Sequence, residues 1–194
     1  LMPDVETKSN IFLPYPFEGR PKPPQHVLDG FSKLYDAEVR YMDREIGRLL
    51  ERMEEAGLYG GPNDWLIITS DHGEEFFEHM QWGHGQNLYH EVIRVPLIVR
   101  WPGRIKPGTR SDETIVLTDI MASCAGILGT ELSANTAEDS VNLLPVLRGG
   151  KMEKPLHDVV IHHSGSGHFA IRKGQWKLLL CRGSGGWSPP REAE

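Results

Sequence analysis

Cysteine is scarce: two residues, Cys124 and Cys181, stand in 194. Two are too few for a disulfide framework, and their spacing fits no zinc motif. A single bridge stays open. Cys124, inside an apolar helical pattern, reads most simply as a small core residue. Long apolar runs are absent too; none approaches the roughly 20 residues of a membrane-spanning helix. Basic clusters are also missing. Lys and Arg total 21 against 27 Asp and Glu, for a net charge of −6. With no cationic stripe to track phosphates, no nucleic-acid partner is expected. No signal-peptide pattern opens the sequence. A loop-like beginning and a polar, Pro-containing end lead us to expect part of a larger polypeptide.

Histidine, by contrast, is plentiful, with 9 residues. His72, His79, His84 and His90 form one group, and His157, His162, His163 and His168 a second. The first group follows the most informative stretch of the chain, Trp65-Leu66-Ile67-Ile68-Thr69-Ser70-Asp71-His72-Gly73-Glu74. Its apolar, branched run reads as a strand buried on both faces, the pattern of a parallel sheet. Ligand sites in open α/β sheets lie beyond the carboxyl ends of such strands. Asp71 and His72 sit there, and a carboxylate beside an imidazole is a reasonable half of a divalent-metal shell. Neighbouring strand side chains point to opposite faces, so the two converge only if the chain leaves the strand at this point. Gly73 lets the backbone turn sharply. The competing reading has Asp71 capping a helix that begins at Gly73, with His72 merely packed.

Elsewhere the chain alternates helix, strand and loop, the rhythm of an α/β sheet. Residues 1–26 hold Pro3, Pro14, Pro16, Pro21, Pro23 and Pro24 and read as a stiff, extended covering. Phe31, Leu34, Val39, Met42, Ile46, Leu49 and Met53 give the stripe of a long helix running to Ala56, with Gly57 as its stop. Its charged residues form a solvated face. Residues 73–91 read as an ordered, site-forming loop. A second buried strand is expected over Val95–Arg100. Ile115–Leu128 reads as a strand fragment and then a helix, capped near Thr118 and stopped by Gly129. Asp158–His163, Phe169–Lys173 and Trp176–Cys181 are strand-like, giving a small antiparallel sheet. The expected organisation is an extended segment at 1–26, an α/β part at 27–150 and a small antiparallel subdomain at 151–194.

Four pieces in order carry a family resemblance. Tyr35-Asp36-Ala37-Glu38-Val39-Arg40-Tyr41-Met42-Asp43 resembles the long helix of the sulfatase family. Thr69-Ser70-Asp71-His72-Gly73-Glu74-Glu75 resembles its metal-binding turn. Gly83-His84-Gly85, then Leu88-Tyr89, then Arg94-Val95-Pro96-Leu97-Ile98-Val99-Arg100 is similar to its next segment. Phe169-Ala170-Ile171-Arg172-Lys173-Gly174-Gln175-Trp176-Lys177-Leu178 is similar to its C-terminal hairpin. Single motifs are weak, but four in order are strong.

The resemblance implies an α/β fold: a partial alkaline-phosphatase-like sheet with flanking helices, plus the small C-terminal antiparallel sheet. It implies hydrolysis of sulfate esters by a formylglycine nucleophile and a divalent metal, usually Ca2+, with Mg2+ or Mn2+ as alternatives. It assigns Asp71 and His72 as metal ligands; the second position is Asn in many members and His in others. His84 takes the place of the family's sulfate-facing cation, often Lys, although its offset from Tyr89 differs by one residue. It is the expected catalytic acid, with His79 assisting in substrate binding. A metal ion and a protonated imidazole suit the charge that builds on a sulfate ester's oxygens. Implied partners are a sulfated small molecule or glycan and the remainder of a sulfatase chain. The implied location of the parent is periplasmic or secreted.

One motif is missing. The family nucleophile sequence, Cys or Ser, any residue, Pro or Ala, any residue, Arg, occurs nowhere; Cys124 and Cys181 lack the arginine. The N-terminal Asp-Asp metal pair is missing as well. The chain therefore looks like the C-terminal portion of a sulfatase, and the isolated chain is expected to be inactive. Two other readings stay open: a phosphate or phosphonate ester hydrolase of the same superfamily, and a non-catalytic module that binds anionic glycans.

Overall fold

A computed structural model describes residues 22–84 and 87–188. Most of the extended segment expected over 1–26 lies outside the described residues. Helix α1 (Gln25–Glu55) follows Pro24 and ends before Gly57, as its stripe and stop require. The stripe is nevertheless mostly uncovered. Only Leu28 is buried, and Leu34, Val39, Met42 and Leu49 are each more than 50% exposed. What holds α1 is aromatic and lies in its first half. Phe31 tilts against Trp82 at 5.0 Å, and Tyr35 meets Phe76 edge-on at 4.8 Å.

The strand of the informative stretch is β1 (Leu66–Thr69). Its partner is β4 (Leu97–Arg100), shorter than the expected Val95–Arg100. The two pair antiparallel, Leu66 opposite Arg100 and Thr69 opposite Leu97. This corrects the expectation of a parallel, doubly buried strand. One face is covered: Trp65, Ile67, Leu97, Val99 and Trp101 face Ile120, Ile127 and Leu144. The other is not, and Ile98 is 59% exposed. An unbroken apolar run shows that both faces suit burial; it does not show that both are covered within the same chain.

The covering elements are α3 (Asp119–Leu128) and α4 (Leu144–Leu147). Gly129 ends α3 in the left-handed conformation. Thr118 occupies the cap position but its hydroxyl caps nothing. The Asp119 carboxylate instead turns back along the chain and accepts the Val116 amide at 2.8 Å, fixing the entry to the helix. No strand forms at Ile115.

The segment expected as a loop over 73–91 is more ordered than its sequence shows. It holds a short hairpin, β2 (Glu75–Phe76) against β3 (Trp82–Gly83), and a turn of helix, α2 (His90–Ile93). Strands of two residues show no periodicity, so pattern could not find them. The C-terminal sheet forms as read: β5 (Val160–His163), β6 (Phe169–Lys173) and β7 (Trp176–Leu179), antiparallel and in that order. Neither cysteine is in a disulfide among the described residues.

A histidine and carboxylate centre at the end of the first strand

Beyond Thr69 the chain bends at once. Ser70 Oγ donates to the His72 carbonyl at 2.7 Å, closing a tight turn. The bend removes the strand alternation, so Asp71 and His72 lie on one side. Asp71 Oδ2 is 3.7 Å from His72 Nε2, and Asp71 Oδ1 accepts the His72 amide at 3.0 Å. No helix begins at Gly73, so the capping alternative is not what the chain does. Hydrogen bonds from the Asp71 and His72 amides, joined by the His72 imidazole, hold the Asp71 carboxyl below the usual carboxylate range.

Gly73 serves closeness rather than turning. Its amide donates to the Val92 carbonyl at 2.7 Å. A Cβ here would overlap the Glu91 carbonyl oxygen and crowd the Arg94 carbonyl at 3.0 Å. The backbone at Gly73 therefore lies directly on α2.

The next residue, Glu74, reaches the chain just after β3. Glu74 Oε2 is 3.2 Å from Nδ1 of His84. The His84 ring lies over that of His72, centroids 4.3 Å apart. One ligand atom each from His72, Glu74 and His84 falls within 4.8 Å of the others. Gly83, at φ +100°, makes the turn, in a backbone conformation that side chains rarely adopt.

The structure thus brings together two residues read from sequence, His72 and His84, with one not singled out, Glu74. No periodicity marked Glu74, because it meets His84 through a hairpin whose two-residue strands are too short to show one. Asp71 stands beside His72 with its side chain 87% exposed. His79 lies outside the three-residue cluster. Its ring stacks on Tyr89 at 3.6 Å, and its Nε2 is 3.5 Å from Glu91 Oε2. Burial, with the Glu75 and Glu91 carboxylates, pushes the Tyr89 hydroxyl above the usual phenol range.

The donor set fits a divalent cation. His72 Nδ1 lies 2.9 Å from the Gly73 carbonyl, which can only accept, so that nitrogen carries the proton. Nε2 is the nitrogen turned towards the Asp71 carboxylate, 3.7 Å away. A cation held by the neutral ring and the carboxylate at about 2.0–2.4 Å would bridge the two.

Residues 14–130 match the family model described as Sulfatase. The chain belongs to the sulfatase family. Residues 78–183 also match the model described as N-sulphoglucosamine sulphohydrolase, C-terminal. Among curated relatives, this sulfatase chain is 30% identical over 151 residues to the steryl-sulfatase of Mus musculus, covering 71% of the chain and 24% of that protein. It is 30% identical over 158 residues to the N-acetylglucosamine-6-O-sulfatase of Bacteroides thetaiotaomicron, covering 77% of the chain and 27% of that protein. A solved structure of a protein in complex with its substrate D-glucosamine-2-N,6-O-disulfate superposes with a TM-score of 0.63 at 30% identity, over 73% of this chain and 29% of that one. The fold is therefore part of the alkaline-phosphatase-like architecture. The chain spans about a quarter of the curated relatives it matches.

Proposed function

We propose that this chain supplies the metal turn and a proton-carrying histidine to a metal-dependent sulfatase acting on sulfate esters of a glycan. The observation that carries it is the convergence of His72, Glu74 and His84 beyond the end of β1. His72, with Asp71 and Glu74, would hold the cation. When bound, the cation supplies Lewis-acid polarisation of sulfate oxygens. His84 does the proton work. The Glu74 carboxylate fixes its ring and makes Nδ1 the protonated atom. In the imidazolium form, with Nδ1–H held by Glu74, Nε2–H gives its proton to the bridging oxygen as that oxygen takes on charge, leaving the neutral ring. The adjacent His72 ring packs against one face of His84.

Calcium, implied by the resemblance, prefers oxygen ligands, and Asp71 and Glu74 provide them. Were His84 a ligand as well, two imidazoles would favour manganese. The N-acetylglucosamine-6-O-sulfatase relative and the solved structure holding D-glucosamine-2-N,6-O-disulfate support a sulfated hexosamine as substrate. A periplasmic or secreted parent rests on the resemblance alone.

The experiment is to extend the chain upstream of Leu1 to include a nucleophile segment and to assay 4-nitrophenyl sulfate. Turnover should appear, and His84→Ala should lower it about 100- to 10,000-fold. Undiminished turnover in His84→Ala, or a Thr or Ser nucleophile that hydrolyses phosphate monoesters instead, overturns the proposal.

A further inference from the structure

The C-terminal sheet collects basic side chains on its covered face. Directly opposed residues share a face. Val160 opposes Arg172, His162 opposes Ala170, Arg172 opposes Lys177 and Ala170 opposes Leu179. Those six residues therefore look one way, with Ala170 fully buried among them. Lys177 joins this face to the chain ahead of α2 by donating to the Leu88 carbonyl. α2 then adds His90 and Arg94, one helical turn apart, with Arg94 Nη1 3.5 Å from His90 Nε2.

Three full positive charges and two imidazoles thus gather in a chain of net charge −6. They lie within electrostatic range of one another. His90 feels Arg94, Arg172 and Lys177, and His162 feels Lys177 and Arg172. Counter-charge is short. Glu91 is the carboxylate that His90 and Lys177 feel; its buried Oε2 lies 3.5 Å from His79 Nε2 and has no hydrogen-bond partner among the described residues. None of the ion pairs among the described residues uses Arg94, Arg172 or Lys177. Arg172 spends only Nε, on the Gly174 carbonyl at 3.1 Å, which leaves both terminal nitrogens. His162 Nε2 is buried without a hydrogen-bond partner among the described residues. Such a nitrogen is costly to leave unmet, and like charges this close repel. An anion with several acceptor oxygens relieves both.

We propose that Arg172, Lys177 and Arg94, with His162 and His90, form a binding site for a tetrahedral oxyanion of the sulfate class. Guanidinium, ammonium and imidazole donors arriving from a sheet face and a helical turn suit an acceptor with oxygens in several directions. The proposal does not depend on the metal-turn chemistry.

The test titrates the whole chain with sodium sulfate by calorimetry, at fixed ionic strength set with sodium chloride and with a chelator present. One equivalent of sulfate should bind. Arg172→Gln, which keeps a donor for Gly174, should weaken binding about tenfold or more, the loss of a charge-assisted hydrogen bond. Arg94→Gln serves as a second variant, with native near-ultraviolet circular dichroism required of both. His84→Ala should leave sulfate uptake unchanged. Competition by glucose 6-sulfate separates two sources of the same oxyanion: displacement of sulfate assigns the site to a half-ester, and no displacement assigns it to the free ion. Absence of sulfate uptake, equal uptake in both arginine variants, or uptake lost only in His84→Ala overturns the proposal.

Discussion

Ser188 and Glu75 meet across 113 positions of chain: Ser188 Oγ donates to Glu75 Oε2 at 2.7 Å, and both residues are fully buried. The same carboxylate accepts the His79 amide and the Asn87 side chain, each at 3.0 Å. A buried charge survives only when its oxygens are met by donors, and here they come from three separate stretches. Nearby, the Leu88 amide donates to the Ser184 carbonyl at 3.0 Å. The C-terminal segment therefore fixes the residues flanking His84. Glu75→Ala should cost about 3 kcal/mol, because three donors lose their acceptor. Ser188→Ala should cost less, about 1–2 kcal/mol. Urea unfolding with an unchanged slope measures both. A Glu75→Ala midpoint equal to that of the parent would show that the network carries no stability.

A second buried pair ties α3 to the chain leading into the C-terminal sheet. His157 Nε2 lies 2.8 Å from Asp119 Oδ2 and 3.0 Å from Oδ1. The carboxylate is fully buried and also takes the Val141 amide at 2.9 Å. Truncating the imidazole strands that charge, so His157→Ala should destabilise by about 3–5 kcal/mol. Asp119→Asn should cost less than Asp119→Ala, since the amide oxygen still accepts from backbone. Thermal unfolding of the three variants, ranked in that order, is the check.

How much of this was legible depends on the range over which each feature is set. The span of α1 follows from local periodicity and Gly57, and the three C-terminal strands follow from alternation and the Lys173-Gly174-Gln175 turn. The β2–β3 hairpin was hidden because Glu75–Phe76 and Trp82–Gly83 are too short to show a period. The exposure of Ile98 and of the α1 stripe was hidden because pattern reports suitability for burial and not the presence of a cover. At the site, Asp71 and His72 were readable from their place after an apolar strand. Glu74 was not, because its role comes from meeting His84 ten positions away through a hairpin the sequence does not announce. The role of Gly73 needed coordinates, since only the nearness of the Glu91 carbonyl reveals it.

Cation uptake should separate the ligands. If Glu74 holds both the cation and His84, Glu74→Gln should weaken manganese or calcium binding at least as much as Asp71→Asn, by about 10- to 100-fold. His72→Ala should do the same. Calorimetric titration of the whole chain with each ion reads this directly. Equal affinity in the parent and in Glu74→Gln would remove Glu74 from the shell and leave Asp71 with His72.

Acid should weaken the fold through the covered face of the C-terminal sheet. Burial, and then the charges of Lys177 and Arg172, hold His162 below the usual imidazole range. His90 is lowered in the same way, by burial and then by Arg94 and Arg172. In the unfolded chain these rings bind a proton near pH 6.5, roughly the ordinary value, while the folded chain resists. The unfolded state therefore binds more protons, and stability falls as pH drops through that value. The loss stops growing below the folded-state values, where both states are protonated. Asp71 acts with the same sign in a lower window: its lowered carboxyl supports folding above the ordinary carboxylate range, and that support is lost only as pH falls through and below that range. Urea midpoints at pH 7.5 and pH 5.5 should thus differ in the parent and differ less in His162→Gln, which cannot titrate. Added sulfate should narrow the difference in the parent, since an anion on this face favours the protonated ring. Parallel pH slopes for the parent and His162→Gln would show that His162 titrates alike in both states.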